Sequence, residues 1–119
     1  MIFLVTVVYA GNIHYVIDWT QVTGFGWDQG NARKSADKHG VSQAEAERIF
    51  FNEPLLVLPD PKHRQQESRY HALGTTDGSR GLHITFILRA SGALIRVISA
   101  RDMPRKEKIY YEQAKKDSA

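Results

Sequence analysis

Two stretches near the C-terminal end are rich in apolar, strand-forming residues: LHITFILR (82–89), where they alternate with polar ones as far as Phe86, and ALIRVISA (93–100). The short Ala90-Ser91-Gly92 between them predicts a β-hairpin. Simple alternation in the second strand puts Leu94, Arg96, Ile98 and Ala100 on one face, and Ile95, Val97, Ser99 and Arg101 on the other. Upstream, YHALGT (70–75) reads as a strand and TDGSRG (76–81) as a turn. LLVL (55–58) is a short strand stopped by Pro59-Asp60-Pro61, and KHRQQESR (62–69) is a charged loop. At the start of the chain, Gly11-Asn12 separates two β-rich runs and predicts strands over 2–9 and 13–19.

A period near 3.6 replaces this pattern in three places. Asp28 is placed to cap a helix over about 29–38, and Gly40 to end it with a positive φ. Ser42-Gln-Ala-Glu45 has the spacing of a capping box, followed by an apolar stripe of Ala46, Ile49 and Phe50. Pro54 disfavours helical backbone at Glu53 and closes this helix. A last helix follows Pro104, amphipathic only through Ile109, Tyr110 and Ala114. The sum is an α+β domain: a small antiparallel β-sheet with two helices in the N-terminal half and one at the C-terminus.

Composition narrows the functional classes. The 119 residues suit one domain, and 42% apolar residues can supply its core. A net charge of +3 permits an anionic partner without requiring one. There is no cysteine, which removes disulfides, thiol catalysis and cysteine-ligated zinc and makes the cytoplasm the expected location. The apolar N-terminus is about 10 residues long, half of the roughly 20 a membrane helix needs, so no membrane association is expected.

The 28–40 segment has only Ala32 and Ala36 to bury, while Asn31, Lys34 and Lys38 share one face. It is either a solvated surface helix or the wall of an anion-binding groove. No phosphate-binding glycine loop or nucleophilic serine elbow appears. None of the five histidines pairs at the spacing of a helical zinc site, so no metal and no cofactor is expected. What remains is a basic, aromatic and histidine-bearing set: Trp27, Lys34, Lys38, His39, His63, Arg69, Arg96, Arg101, Arg105 and Tyr110. Cations neutralise phosphates and aromatic rings stack on unpaired bases. A metal-free ribonuclease needs little more than a base, an acid and cations for the phosphorane. A plain RNA-binding or protein-binding domain fits the same composition.

The ordered motifs carry more. Phe25-Gly-Trp27-Asp28, Asn31-Ala-Arg-Lys34, Lys38-His39-Gly40-Val41-Ser42 and Glu45-Ala46 are followed by Asn52-Glu53-Pro54, Asp60-Pro61-Lys62-His63 and Glu67-Ser68-Arg69. Gly74, Ile95-Arg96-Val97-Ile98-Ser99-Ala100-Arg101 and Arg105-Lys106-Glu107 complete the series. Over about 25–116 the chain resembles the BrnT family, the toxins of type II toxin–antitoxin pairs. The resemblance implies a RelE-like ribonuclease fold and RNA cleavage that halts translation. It also implies neutralisation by a BrnA-like antitoxin, with operator DNA bound only through the toxin–antitoxin complex. It makes Lys38, His39, His63, Arg69, Arg96 and Arg101 the expected catalytic set, and Trp27, Lys34, Arg105 and Tyr110 the expected RNA contacts. Arg96 is either a clamp for phosphate or a structural partner of Glu67 or Glu107. A non-catalytic basic-groove subunit and a degenerate toxin are the alternatives. Residues 1–24 lie outside the family pattern, as an added hairpin or as the product of a start site misplaced upstream of Val22. Residues 25–119 form the toxin-like domain.

Overall fold

The structure, a computed structural model, describes residues 7–9, 17–60 and 69–117. Its centre is a four-strand antiparallel meander: β3 (Leu55–Pro59), β4 (Arg69–Thr75), β5 (Gly81–Arg89) and β6 (Leu94–Asp102). Two short strands from the N-terminal part clasp its edges. β1 (Val7–Tyr9) runs parallel to β3, and β2 (Gly24–Phe25) runs parallel to β6, giving the order β1-β3-β4-β5-β6-β2. The sheet is therefore mixed rather than antiparallel. Both edge strands reach their partners through long connections instead of tight turns, and such connections allow parallel pairing. The expected strand over 13–19 is absent where it can be seen: Ile17 and Asp18 are irregular, and Trp19–Gln21 is a 3-10 turn capped by Asp18. The Gly11-Asn12 turn lies outside the described residues.

Three helices complete the α+β domain, α1 (Gln29–His39), α2 (Gln43–Arg48) and α3 (Arg105–Asp117). The caps fall where the sequence puts them. Asp28 accepts from the Asn31 amide, Gly40 ends α1 at φ 63°, and Ser42 and Glu45 close the capping box from both sides. A 3-10 turn (Ile49–Phe51) extends α2 and presses Ile49 and Phe50 into the sheet. Gly74 makes that approach feasible, because a Cβ there would stand 3.1 Å from the Ile49 Cβ.

The main core fills this side of the sheet. Phe50 meets Phe86 edge-on at 5.3 Å between ring centres, and Tyr70 stacks on Phe86 at 5.4 Å. Ile17 and Val22 are buried in the same core. α1 lies along β6 and buries only Ser35. On the opposite face α3 covers a smaller cluster of Leu56, Leu73, Met103 and Tyr111. Its buried stripe is Tyr111 with Ala114, not Ile109 and Tyr110. The Tyr111 hydroxyl donates to the Pro54 carbonyl at 2.6 Å, and this bond sets the rotation of the helix and turns residues 109 and 110 outward. Among the described residues no helix is long and apolar enough to cross a membrane.

Candidate active site

A β-bulge decides which side chains meet. Thr85 opposes Ser99 and Phe86 opposes Val97, so Ile98 is an extra residue in β6. Because the side-chain period is two, one inserted residue exchanges the faces beyond it. Ile95, Val97 and Ala100 all enter the main core. Arg96, Ser99 and Arg101 thereby share the opposite face, whereas simple alternation separates Arg96 from the other two.

That face has three rows, read across β4, β5 and β6: Arg69, Ile87 and Arg96; then His71, Thr85 and Ser99; then Leu73, His83 and Arg101. Successive rows are about 7 Å apart along the strands. A continuous run of hydrogen bonds links the second and third rows to α3. Asp60 Oδ2 lies 2.9 Å from His71 Nε2, and His71 Nδ1 lies 2.9 Å from His83 Nε2 and 3.1 Å from Thr85 Oγ1. His83 Nδ1 is 2.9 Å from Glu107 Oε1. Arg101 donates to both Glu107 oxygens, at 2.9 and 3.2 Å, and its Nη2 also lies 3.0 Å from His83 Nδ1. In the contact between the two imidazoles one nitrogen donates and the other accepts, so a single proton is shared there.

Burial pushes the His83 imidazole below its ordinary value, against the opposing pull of Glu107. For Glu107, burial works upward, but hydrogen bonds from Arg101 and His83 outweigh it and hold the carboxyl below the usual carboxylate range. At neutral pH the cluster therefore contains an ionised carboxylate and an uncharged imidazole side by side. The His71 side chain is 28% exposed and that of His83 only 15%, so His71 is the imidazole that faces outward. A cavity of about 720 Å³ opens over both histidines and Glu107, between β3, β4 and α3.

Several of the residues expected from sequence converge here and others do not. Arg69, Arg96 and Arg101 occupy this face. Arg96 pairs with Asp28 at 3.2 Å, while Glu107 belongs to Arg101; Glu67, the other partner considered for Arg96, lies outside the described residues. The Nε atoms of Arg69 and Arg96 are buried without a hydrogen-bond partner among the described residues. Tyr110 lines the cavity, and Arg105 is exposed at the start of α3. Lys34 and Lys38 stand exposed on α1, which packs along β6. His39 ends α1, where Arg80 takes its carbonyl at 3.4 Å and that of Gly40 at 2.9 Å. Arg80 also binds Asp102 at 2.7 and 2.9 Å and Glu45 at 3.1 Å, and so ties the ends of α1, α2 and β6 together. Trp27 packs against the main core and donates its indole N–H to Glu47 at 2.7 Å. His63 lies outside the described residues.

His71, His83, Thr85, Asp60 and Glu107 are the members of the cluster that sequence reasoning passed over as chemistry. Polar residues at alternate positions inside otherwise apolar strands, His71 in β4 and His83 and Thr85 in β5, were the available signal. Their meeting depends on the β4–β5 register, which the 76–81 turn does not reveal by its composition.

Comparison with known proteins bears on this geometry. Residues 27–107 match the family model described as "Ribonuclease toxin, BrnT, of type II toxin-antitoxin system". The crystal structure of the ribonuclease toxin BrnT from Brucella abortus is similar in fold, with a TM-score of 0.51 and 20% sequence identity over 71% of this chain and 100% of that one. No curated protein matches the chain.

Proposed function

Because the chain belongs to the BrnT family of type II ribonuclease toxins, we propose that the polar face beside α3 is its RNA-cleaving site. The observation that carries this reading is the unbroken run Asp60–His71–His83–Glu107–Arg101 opening on the cavity. It brings proton acceptors, a proton donor and a guanidinium to one place.

The chemistry needs no added reagent. The RNA 2′-oxygen attacks the adjacent phosphorus while a base removes its proton. The bond from phosphorus to the 5′-oxygen breaks, and an acid protonates that oxygen. The products are a 2′,3′-cyclic phosphate and a 5′-hydroxyl. His71, the more exposed imidazole, exchanges protons with the substrate through Nδ1, where the substrate oxygen must displace the contacts to His83 and Thr85. Asp60 positions it through Nε2, and between turnovers His83 passes protons between His71 and Glu107. Arg101 sits beside the reacting phosphate, with Arg69 and Arg96 two rows away along the RNA backbone. Phosphate must take over the Arg101 hydrogen bonds that Glu107 now holds. His63 remains a proposed acid or base. Lys34, Lys38, His39, Trp27 and Arg105 are proposed as outer RNA or partner contacts.

The type II family implies an antitoxin partner. The reading proposed here is a BrnA-like protein whose acidic segment fills the groove, blocks translation arrest and carries the pair to operator DNA. The site is proposed to work without metal, in the cytoplasm, on a RelE-like scaffold. The test is cleavage of purified RNA with and without chelator, with the product ends identified. Activity that survives chelator and leaves 2′,3′-cyclic phosphate supports it; activity restored only by a divalent ion, or a 3′-hydroxyl product, overturns it. A rival reading, a groove that binds without cleaving, draws on the Arg96–Asp28 and Arg101–Glu107 pairs, which leave these cations already engaged. Tight RNA binding with no product from intact wild-type protein would favour that rival.

A further inference from the structure

The apolar end of the same cavity has no part in the proton chemistry. Leu58, Pro59 and Leu73 form its floor, and Ile109, Tyr110 and Gln113 of α3 form its rim. Ile109 is 60% exposed and Tyr110 48%, and these neighbours are the exposed large hydrophobic residues among the described part of the chain. Both line one cavity, next to His71, His83 and Glu107. The rotation of α3 set by Tyr111 and Pro54 holds them there.

We infer that this end of the cavity is a nucleobase subsite, in which Tyr110 stacks on the unpaired base adjoining the phosphate at Arg101. The inference rests on the ribonuclease reading for its substrate and adds the element that holds and selects a base. An aromatic ring beside a cationic phosphate site is the usual way to hold single-stranded RNA. The volume of about 720 Å³ has room for a base with its ribose. Lys106 supplies a cation on the rim, and Gln113 supplies an amide able to pair with a base edge. A protein side chain would also find apolar surface here. The shared lining with His71, His83 and Glu107 favours the base, because an occupant of the apolar end lies directly against the groups that move protons.

The test uses a short single-stranded oligonucleotide with 2′-O-methyl riboses, which lack the nucleophile, and 2-aminopurine at successive positions. Wild-type protein should quench the fluorescence at one position. Tyr110→Ala should weaken binding about 10-fold and abolish that quenching, the size expected of one lost base–aromatic stack. Tyr110→Phe should retain both, and Ile109→Ser should give a smaller loss. On cleavable RNA, Tyr110→Ala should raise KM with little change in kcat, and an abasic nucleotide at the quenched position should make the two proteins equal. Equal binding and quenching by wild type and Tyr110→Ala would overturn the subsite while leaving the ribonuclease reading intact. Quenching that depends on Tyr110 in a protein that cleaves no RNA would keep the subsite and sink the catalytic reading. If Tyr110→Ala loses antitoxin binding but keeps the quenching, the surface belongs to the partner and the assignment is wrong.

Discussion

The two faces of one sheet are built on different terms. The face toward α2 is packed with Phe50, Phe86, Ile84, Val97 and their neighbours, all fully buried. The face toward α3 has a small apolar cluster, and beside it the histidines, Glu107 and Arg101 in mutual hydrogen bonds. The same strands serve both, since alternate residues of β4, β5 and β6 point opposite ways. Stability is concentrated on the first face, which frees the second to hold half-buried charge that contributes little to folding. The contrast shows how a small domain can hold a polar cluster without weakening its main core.

The comparison predicts opposite phenotypes for substitutions on the two faces. Phe50→Ala should cost about 3–5 kcal/mol of stability through lost packing, a large part of the roughly 5–15 kcal/mol typical of a domain. Chemical denaturation measures it, and a loss below about 1 kcal/mol would mean the aromatic cluster is not the main source of stability. His71→Ala on the other face should lower RNA cleavage by about 10²–10⁴-fold, with far less change in the denaturation midpoint. If His71→Ala instead unfolds the protein, the division between the faces is wrong.

The N-terminal part sharpens the picture. Ile17 is buried in the main core, and β1 completes one sheet edge. A chain beginning at Val22 should therefore lose at least about 2 kcal/mol, the value of burying one large aliphatic side chain plus part of an edge. An unchanged thermal transition would show that this part is dispensable. Ser42→Ala removes one half of the capping box and should cost about 1 kcal/mol. Because that box lies beside the core face, cleavage by the folded fraction should be unaffected.

The smallest expected effect is a pH slope. The folded-state pKa of His83 lies below its ordinary 6.5, so the unfolded chain takes up that proton first as pH falls below about 6.5. Glu107 is likewise held below its ordinary 4.5, and the stability from its bonds to Arg101 and His83 is present above that value and lost as pH falls through the lower folded pKa. Both groups make the protein less stable in acid. Denaturation midpoints for wild type and His83→Gln between pH 7 and 5 should show a shallower fall in the variant. Parallel slopes would mean that His83 is not the group responsible in this range.

What the sequence alone determined is what short-range physics controls. Caps at Asp28, Ser42 and Gly40 depend on hydrogen bonds within a few residues. The spans of β3 to β6 follow from short apolar, β-rich runs bounded by turn residues, and the stripe of Ala46, Ile49 and Phe50 follows from the helical repeat. The ordered motifs likewise carried the family, and they singled out Arg69, Arg96 and Arg101, which lie on one face of the sheet. Tertiary structure decided everything that depends on register. One extra residue at Ile98 returns Arg101 to the face of Arg96. The β4–β5 pairing sets His71 beside His83, although 11 residues separate them in the chain. The hydroxyl of Tyr111 fixes which side of α3 is buried and leaves Tyr110 at the cavity. These outcomes are settled by contacts between distant segments, where a single step of slip exchanges the two faces of a strand, and no local pattern records which step is taken.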